Sequence, residues 1–230
     1  MKFSYILLML AVVFSLARLF YKNNNTANQT FHNSLIQEQE IKFSNLRQLT
    51  FSGENAEAYF SRDGKSLIFQ SHDGDSLCDQ IYIMNIETGT TSRVSTGDGV
   101  TTCSYFVYPE CQKAIYASTH MGNKNCPEKP DYSMGYVWKI YPDYDIFITD
   151  LTNKTLRQLT NSPGYDAEAT VAFNGSKIIY TSMVSGDLDI WTMDLDGKNK
   201  TQLTDELGYD GGAFFNNDGT KIVWRSYYPK

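Results

Sequence analysis

Along residues 156–204, short runs of alternating apolar and polar residues are separated by turn residues. The stretch opens on Arg157-Gln158-Leu159-Thr160 and closes on Thr201-Gln202-Leu203-Thr204, 44 residues later. Residues 167–171 alternate. Asn174-Gly175 then supplies the positive backbone angles of a tight hairpin, and Ile178-Ile179-Tyr180 reads as a buried strand ending on Ser182. Ile190-Trp191-Thr192-Met193 alternates aliphatic and aromatic positions, and a polar turn over 194–197 leads to an outer strand ending in Leu-Thr. Four strands in a repeat of this length are the sequence form of a propeller blade. The pattern predicts strands near 56–60, 67–71, 80–85 and 92–96, and again at 168–172, 177–182, 189–194 and 200–204.

Other stretches repeat the unit. Residues 56–60 and 211–215 answer to 167–171, and each is followed by a turn, Arg62-Asp63-Gly64-Lys65 or Asn217-Asp218-Gly219-Thr220. Next come Leu67-Ile68-Phe69 and Ile222-Val223-Trp224, ending on Ser71 and Ser226. The second copy diverges. Its turn, Pro109-Glu110-Cys111, lacks glycine, and residues 121–141 form an insertion of the kind that is functional or tolerated at a surface. Residues 43–50 read as a lone outer strand, and 209–228 supply two inner strands. The expected fold is therefore all-β, a β-propeller of about three and a half four-stranded blades with an incomplete ring. Pairing 43–50 with 209–228 would instead close a compact four-bladed ring. An open ring would expose Phe214, Phe215, Ile222, Val223 and Trp224, and on that reading residues 1–230 alone form a C-shaped or poorly stable product.

Composition adds an N-terminal address. Lys2 precedes 15 apolar or small residues (3–17), and Ser15-Leu16-Ala17 offers small residues for cleavage. Residues 1–21 thus read as a signal peptide, with an uncleaved anchor over 3–21 as the competing reading, because Leu19, Phe20 and Tyr21 prolong the apolar run. Residues 22–40 form a polar tether, and 41–230 carry the repeats. The net charge of −6, without a basic stripe, argues against nucleic acid as a partner.

The phrases Asp63-Gly64-Lys65, Asp189-Ile190-Trp191 and Arg157-Gln158-Leu159-Thr160 resemble the WD-like repeat of TolB-like propellers. The resemblance covers about 43–230 and recurs in three copies, and the chain looks like a C-terminally shortened member of an exported bacterial family. It implies a periplasmic or secreted propeller; TolB itself is the soluble partner of the Tol–Pal envelope system. The family motif is structural and carries no catalytic residue to transfer. TolB's own N-terminal domain is not recognisable in 22–40, so the resemblance does not extend to a Tol–Pal role.

The inner strand of each propeller blade lines the central channel. The equivalent starting positions are read as Asn55, Thr102, Asp166 and Asp210, with Glu57, Ser104, Glu168 and Gly212 two residues on. Asn55, Glu57, Asp166, Glu168 and Asp210 are accordingly the candidate ligand-binding residues. As a ring they would attract Ca²⁺, another divalent cation or a cationic ligand group. Taken singly, each would cap a turn. His72 and His120 are weak metal candidates, since oligogalacturonate lyases use a related propeller with several histidines. Asp143-Tyr144-Asp145 and Asp187-Leu188-Asp189 recur at one repeat position, which points to blade building, an acid bonding the adjacent turn. Cys78, Cys103, Cys111 and Cys126 admit two disulfides with three connectivities. No Gly-x-Ser-x-Gly nucleophile elbow is present.

Two functions follow. The first is a non-catalytic, cofactor-free binding or scaffold propeller of the envelope, or a secreted one, holding a protein, peptide or glycan partner through the channel mouth or the 121–141 loop; membrane contact would come only through an uncleaved N-terminus. The alternative is a metal-assisted carbohydrate-active lyase or hydrolase. The sequence favours the non-enzyme.

Overall fold

The computed structural model describes residues 40–44, 46–73, 78–128, 130–135 and 137–229. The proposed leader and nearly all of the tether lie outside these residues. The chain divides after Phe51. In the first unit the described residues form no strand, so the outer strand expected over 43–50 is absent. Within the Arg47-Gln48-Leu49-Thr50 phrase, Gln48 Nε2 donates to the Thr50 carbonyl at 2.7 Å. Elsewhere the same phrase becomes a strand that pairs with the third strand of its blade.

The second unit, Ser52–Lys230, holds every strand of the described residues. Blade one comprises β1 (Glu54–Phe60), β2 (Ser66–His72), β3 (Gln80–Asn85) and β4 (Thr91–Arg93). Blade two comprises β5 (Thr101–Val107), β6 (Lys113–Ser118), β7 (Asp145–Asp150) and β8 (Leu156–Gln158). Blade three comprises β9 (Asp166–Val171), β10 (Ile178–Ser182), β11 (Asp189–Met193) and β12 (Thr201–Gln202). A half-blade follows, β13 (Tyr209–Phe215) with β14 (Ile222–Tyr227). Each sheet is an antiparallel meander, and the described residues contain no helix. The fold is thus an all-β propeller array of three and a half blades. The β1–β2, β9–β10 and β13–β14 turns pivot on Gly64, Gly175 and Gly219, all at positive φ, as their Asp-Gly and Asn-Gly signals require. Blade two turns instead through a cis Tyr108–Pro109 bond and a left-handed Cys111.

The recurring acid has a definite partner. Asp145 Oδ2 accepts from Gln158 Nε2 at 2.9 Å and Asp189 Oδ2 from Gln202 Nε2 at 2.9 Å. Thr160 and Thr204 each accept a strand N–H, from Ile146 and Ile190, while donating back to the same acid at 3.3 Å. The acid therefore latches the third strand to the outer one, more than to the turn. Blade one uses an amide and a serine for this purpose: Ser95 donates to Gln80 Oε1 at 2.7 Å.

Apolar residues fill the spaces between blades. Ile68, Ile81, Phe106, Tyr116 and Phe147 join blades one and two; Ile115, Ile146, Ile148, Val171, Ile178 and Met193 join two and three. Each such buried side chain contributes about 1.5–3 kcal/mol relative to its exposure. Ile179, Ile190 and Ala213 form the joint to the half-blade, where Phe215 and Ile222 are partly covered. Of the five residues expected at an exposed end, Val223 (66 %) and Trp224 (39 %) are open. Phe214 is not part of that face, because it turns inward to meet Tyr59 and Tyr105.

Candidate functional site: a channel built on strand bulges

The inner strands β1, β5, β9 and β13 follow one another around the array. Each breaks register with its neighbour at a bulge. At the bulge one residue takes a left-handed conformation: Glu57 (φ 50°), Cys103 (52°), Glu168 (55°) and Gly212 (61°). A bulge re-aims a side chain, and these four residues all line one cavity of about 750 Å³. The alignment of blade two thus shifts by one residue. Thr101, which pairs with Ser118 as Asn55 pairs with Ser71, is the true counterpart of Asn55, and Cys103 is that of Glu57. Thr102 and Ser104, the equivalents expected from the repeat, are each one residue out, because nothing in Thr-Thr-Cys-Ser marks where the bulge falls.

Glu168 is saturated. Tyr209 Oη donates to its two carboxylate oxygens at 2.7 and 3.0 Å, Tyr165 Oη donates at 3.3 Å, and the Gly212 N–H completes the set. Arg225 Nη2 donates to Tyr209 Oη at 3.1 Å, and its guanidinium lies over that ring. Glycine at 212 leaves room for this arginine, since a Cβ there would stand 3.2 Å from Arg225 Nε.

Glu57 is not saturated. Its side chain is exposed to the channel, yet surrounding atoms thin the water around its carboxyl. That desolvation pushes its pKa up, a hydrogen bond from the Cys103 thiol opposes it, and the Glu168 carboxylate raises it further. Burial first, then the two glutamates, raises the Cys103 thiol well above its usual range, so it stays protonated and a poor nucleophile. Tyr59, Trp138 and Tyr209 supply aromatic wall, and Trp138 arrives from the 121–141 insertion. The burial of Ser104 is nearly complete (1 % exposed), and its Oγ has no hydrogen-bond partner.

The other predicted residues are placed elsewhere. Asp166 and Asp210 are each 1 % exposed. Asp166 accepts from Ser162 at 2.6 Å and from Ser182; Asp210 accepts from Trp224 Nε1 at 3.1 Å and from Ser226. Asn55 accepts from Ser71 at 2.8 Å. These three lock the first strand of a blade to the second, which explains the serine ending each second strand. They do not join Glu57 and Glu168 in the channel.

His72 bonds Asp79 at 2.5 Å, with Glu54 at 3.7 Å. His120 is buried against Phe147, donates to or accepts from Ser118, and has its pKa lowered by burial. Among the described residues no group of three His, Cys, Asp or Glu side chains could hold a metal ion. Of the four cysteines, Cys78 and Cys126 form a disulfide, and Cys103 and Cys111 are free thiols. The expectation that two disulfides could form is thereby reduced to one, since Cys103 sits at the β5 bulge and Cys111 in the turn beyond the strand's far end. The bridge ties blade one to the insertion of blade two, beside a second cavity of about 390 Å³.

Tyr59, Trp138, Tyr209 and Arg225 escaped sequence reasoning. Only the Gly211-Gly212 pair inside a strand pattern carried a signal for the bulge.

No protein-family model and no curated protein matches the chain. Solved structures do. A putative TolB from Agrobacterium tumefaciens superposes with TM-score 0.58 at 19 % identity, over 74 % of this chain and 53 % of that one. TolB from Acinetobacter baumannii gives 0.58 at 20 %, over 75 % and 37 %. A chain of the nidogen/laminin complex gives 0.56 at 12 %, over 76 % and 57 %. The class is therefore a β-propeller. More particularly, the blades are TolB-like, and the chain spans about half of one TolB structure and just over a third of the other.

Proposed function

We propose that this protein is a non-catalytic binding propeller of the cell envelope or the secreted space, holding an extended segment of a partner protein or peptide in its channel. The observation that carries this reading is the 750 Å³ cavity walled by Tyr59, Trp138, Tyr209 and Phe214. Ligand sites are concave, mostly apolar and furnished with a few directed polar groups, and aromatic residues dominate protein-binding hot spots. The TolB-like fold supports a binding role, and the apolar N-terminal run supports export. The reading requires no cofactor and no divalent cation.

Selection of a displayed random-peptide library, alongside a glycan array, tests it. Peptides should be enriched, and Trp138→Ala should weaken them at least about tenfold without changing the melting temperature, since Trp138 sits on a surface insertion. Binding that ignores Trp138→Ala and Tyr59→Ala, or that is confined to glycans, would overturn the reading.

A further inference from the structure

We propose that the group read by the channel is an organic cation, the lysine or arginine side chain of the bound segment, with Glu57 as its counter-ion. This rests on the channel being the binding site, as proposed above.

Charge balance is the first support. Glu57, Glu168 and Arg225 are the ionised side chains of the cavity wall. Arg225 is held over Tyr209 on the Glu168 side, so those two charges offset each other. Among the described residues no lysine, arginine or histidine forms an ion pair with Glu57. One negative charge is left facing a partly dehydrated space, where an ammonium or guanidinium would gain most.

The second support is independent of charge. Ser104 lines the same cavity, and its Oγ is almost wholly buried and has no partner among the described residues. A buried hydroxyl without a hydrogen bond is costly, and native proteins rarely leave one unless a ligand or water completes it. With a rotamer change of the kind common at binding surfaces, it can accept an N–H of the incoming cation. The faces of Tyr59 and Trp138 then offer cation–π contact, which a neutral sugar could not exploit in the same way. A metal ion would need three or more protein ligands, and the described residues offer no such group.

The groups facing Glu57 are the Cys103 thiol, Glu168, Arg225 and, more distantly, Asp79. The two carboxylates make the potential at Glu57 more negative, which favours a cation there, while Arg225 opposes them.

The test uses the full chain and four acetylated, amidated pentapeptides, Ala-Ala-X-Ala-Ala with X lysine, arginine, norleucine or glutamate, titrated by calorimetry. The lysine and arginine peptides should bind at least about tenfold more tightly than the other two, with Glu57→Gln abolishing the difference. Circular dichroism checks that Glu57→Gln is folded, and Trp138→Ala gives a second variant that should weaken the cationic peptides without removing their preference. Equal binding of the norleucine and lysine peptides would sink the cation while leaving a peptide-binding channel. Absence of any preference for lysine over glutamate, or a calcium-dependent rise in melting temperature lost in Glu57→Gln, would also overturn it. Binding of glycans in place of every peptide would instead defeat the proposed function itself.

Discussion

Blade one and blade three carry one phrase on their inner strands, Asn55-Ala56-Glu57 and Asp166-Ala167-Glu168, and put it in different surroundings. Strand β9 lies between β5 and β13; Asp166 is buried there, and Glu168 collects bonds from Tyr165, just before its own strand, and from Tyr209 and Gly212 on β13. Strand β1 packs against β5, and its residues are mostly exposed; Phe60 is 59 % exposed where its counterpart Val171 is 4 %. Among the described residues, the same side chain is therefore tied down by several donors in blade three and holds fewer bonds in blade one. Surroundings, more than residue type, set how many bonds each carboxylate holds.

The largest expected effect breaks this contrast at the strand lock. Asp166→Ala removes two hydroxyl partners from a buried site and should cost about 2–3 kcal/mol. Asn55→Ala, at the equivalent exposed place, should cost under about 1 kcal/mol. Urea unfolding of both variants compares them, and equal losses would remove the distinction between the blades.

The next effect is in pH. Desolvation first, then the charge of Asp166, pushes Asp145 up to about 6, and Asp166 is raised in the same direction by burial. An acid that holds its proton more tightly when folded adds stability below its unfolded pKa near 4, and that stability is lost as pH rises through about 6. Stability should fall by about 1–2 kcal/mol across that window, after allowance for partial solvent access to Asp145. Aspartates that cap turns, such as Asp150 at the end of β7, lowered by N–H donors from Asn153 and Thr152, act oppositely and only below about 4. Asp145→Asn should flatten the slope, since blade one already works with an amide at Gln80. An unchanged slope would remove Asp145 as its source.

The smallest effect sharpens the contrast at the bulge. A left-handed conformation costs a non-glycine residue about 1–2 kcal/mol, which Glu57→Gly would recover against the entropy of a glycine. Its stability should change by less than about 0.5 kcal/mol. Glu168→Gly loses the bonds from Tyr209 and Tyr165 and should destabilise by about 1–2 kcal/mol, by the same unfolding assay.

Much of the fold was legible because its signals are local. Asp-Gly and Asn-Gly turns, the alternating third strands and the Gln-x-Thr phrase located three blades within a few residues. The channel was less so. Glu57 and Glu168 were readable as inner-strand residues, but a bulge formed by glutamate or cysteine leaves no mark in composition, and a one-residue slip exchanges Cys103 for Ser104. Asp166 and Asp210 looked equivalent to the glutamates because spacing of two puts residues on one face of a regular strand, and the bulge cancels that rule. Trp138 and Arg225 reach the cavity from an insertion and from a second strand, contacts that only the folded chain brings together.

The account stands on Glu57 and Glu168 sharing one channel, with only Glu168 saturated. Carboxyl-detected NMR titration of Glu57, in the natural chain and in Glu168→Gln, measures this directly. The prediction is that Glu57 titrates above the ordinary glutamate range and moves back toward it when the neighbouring charge is removed. A Glu57 that titrates normally and ignores Glu168→Gln would mean that the two carboxylates do not face each other, and the channel site would be contradicted.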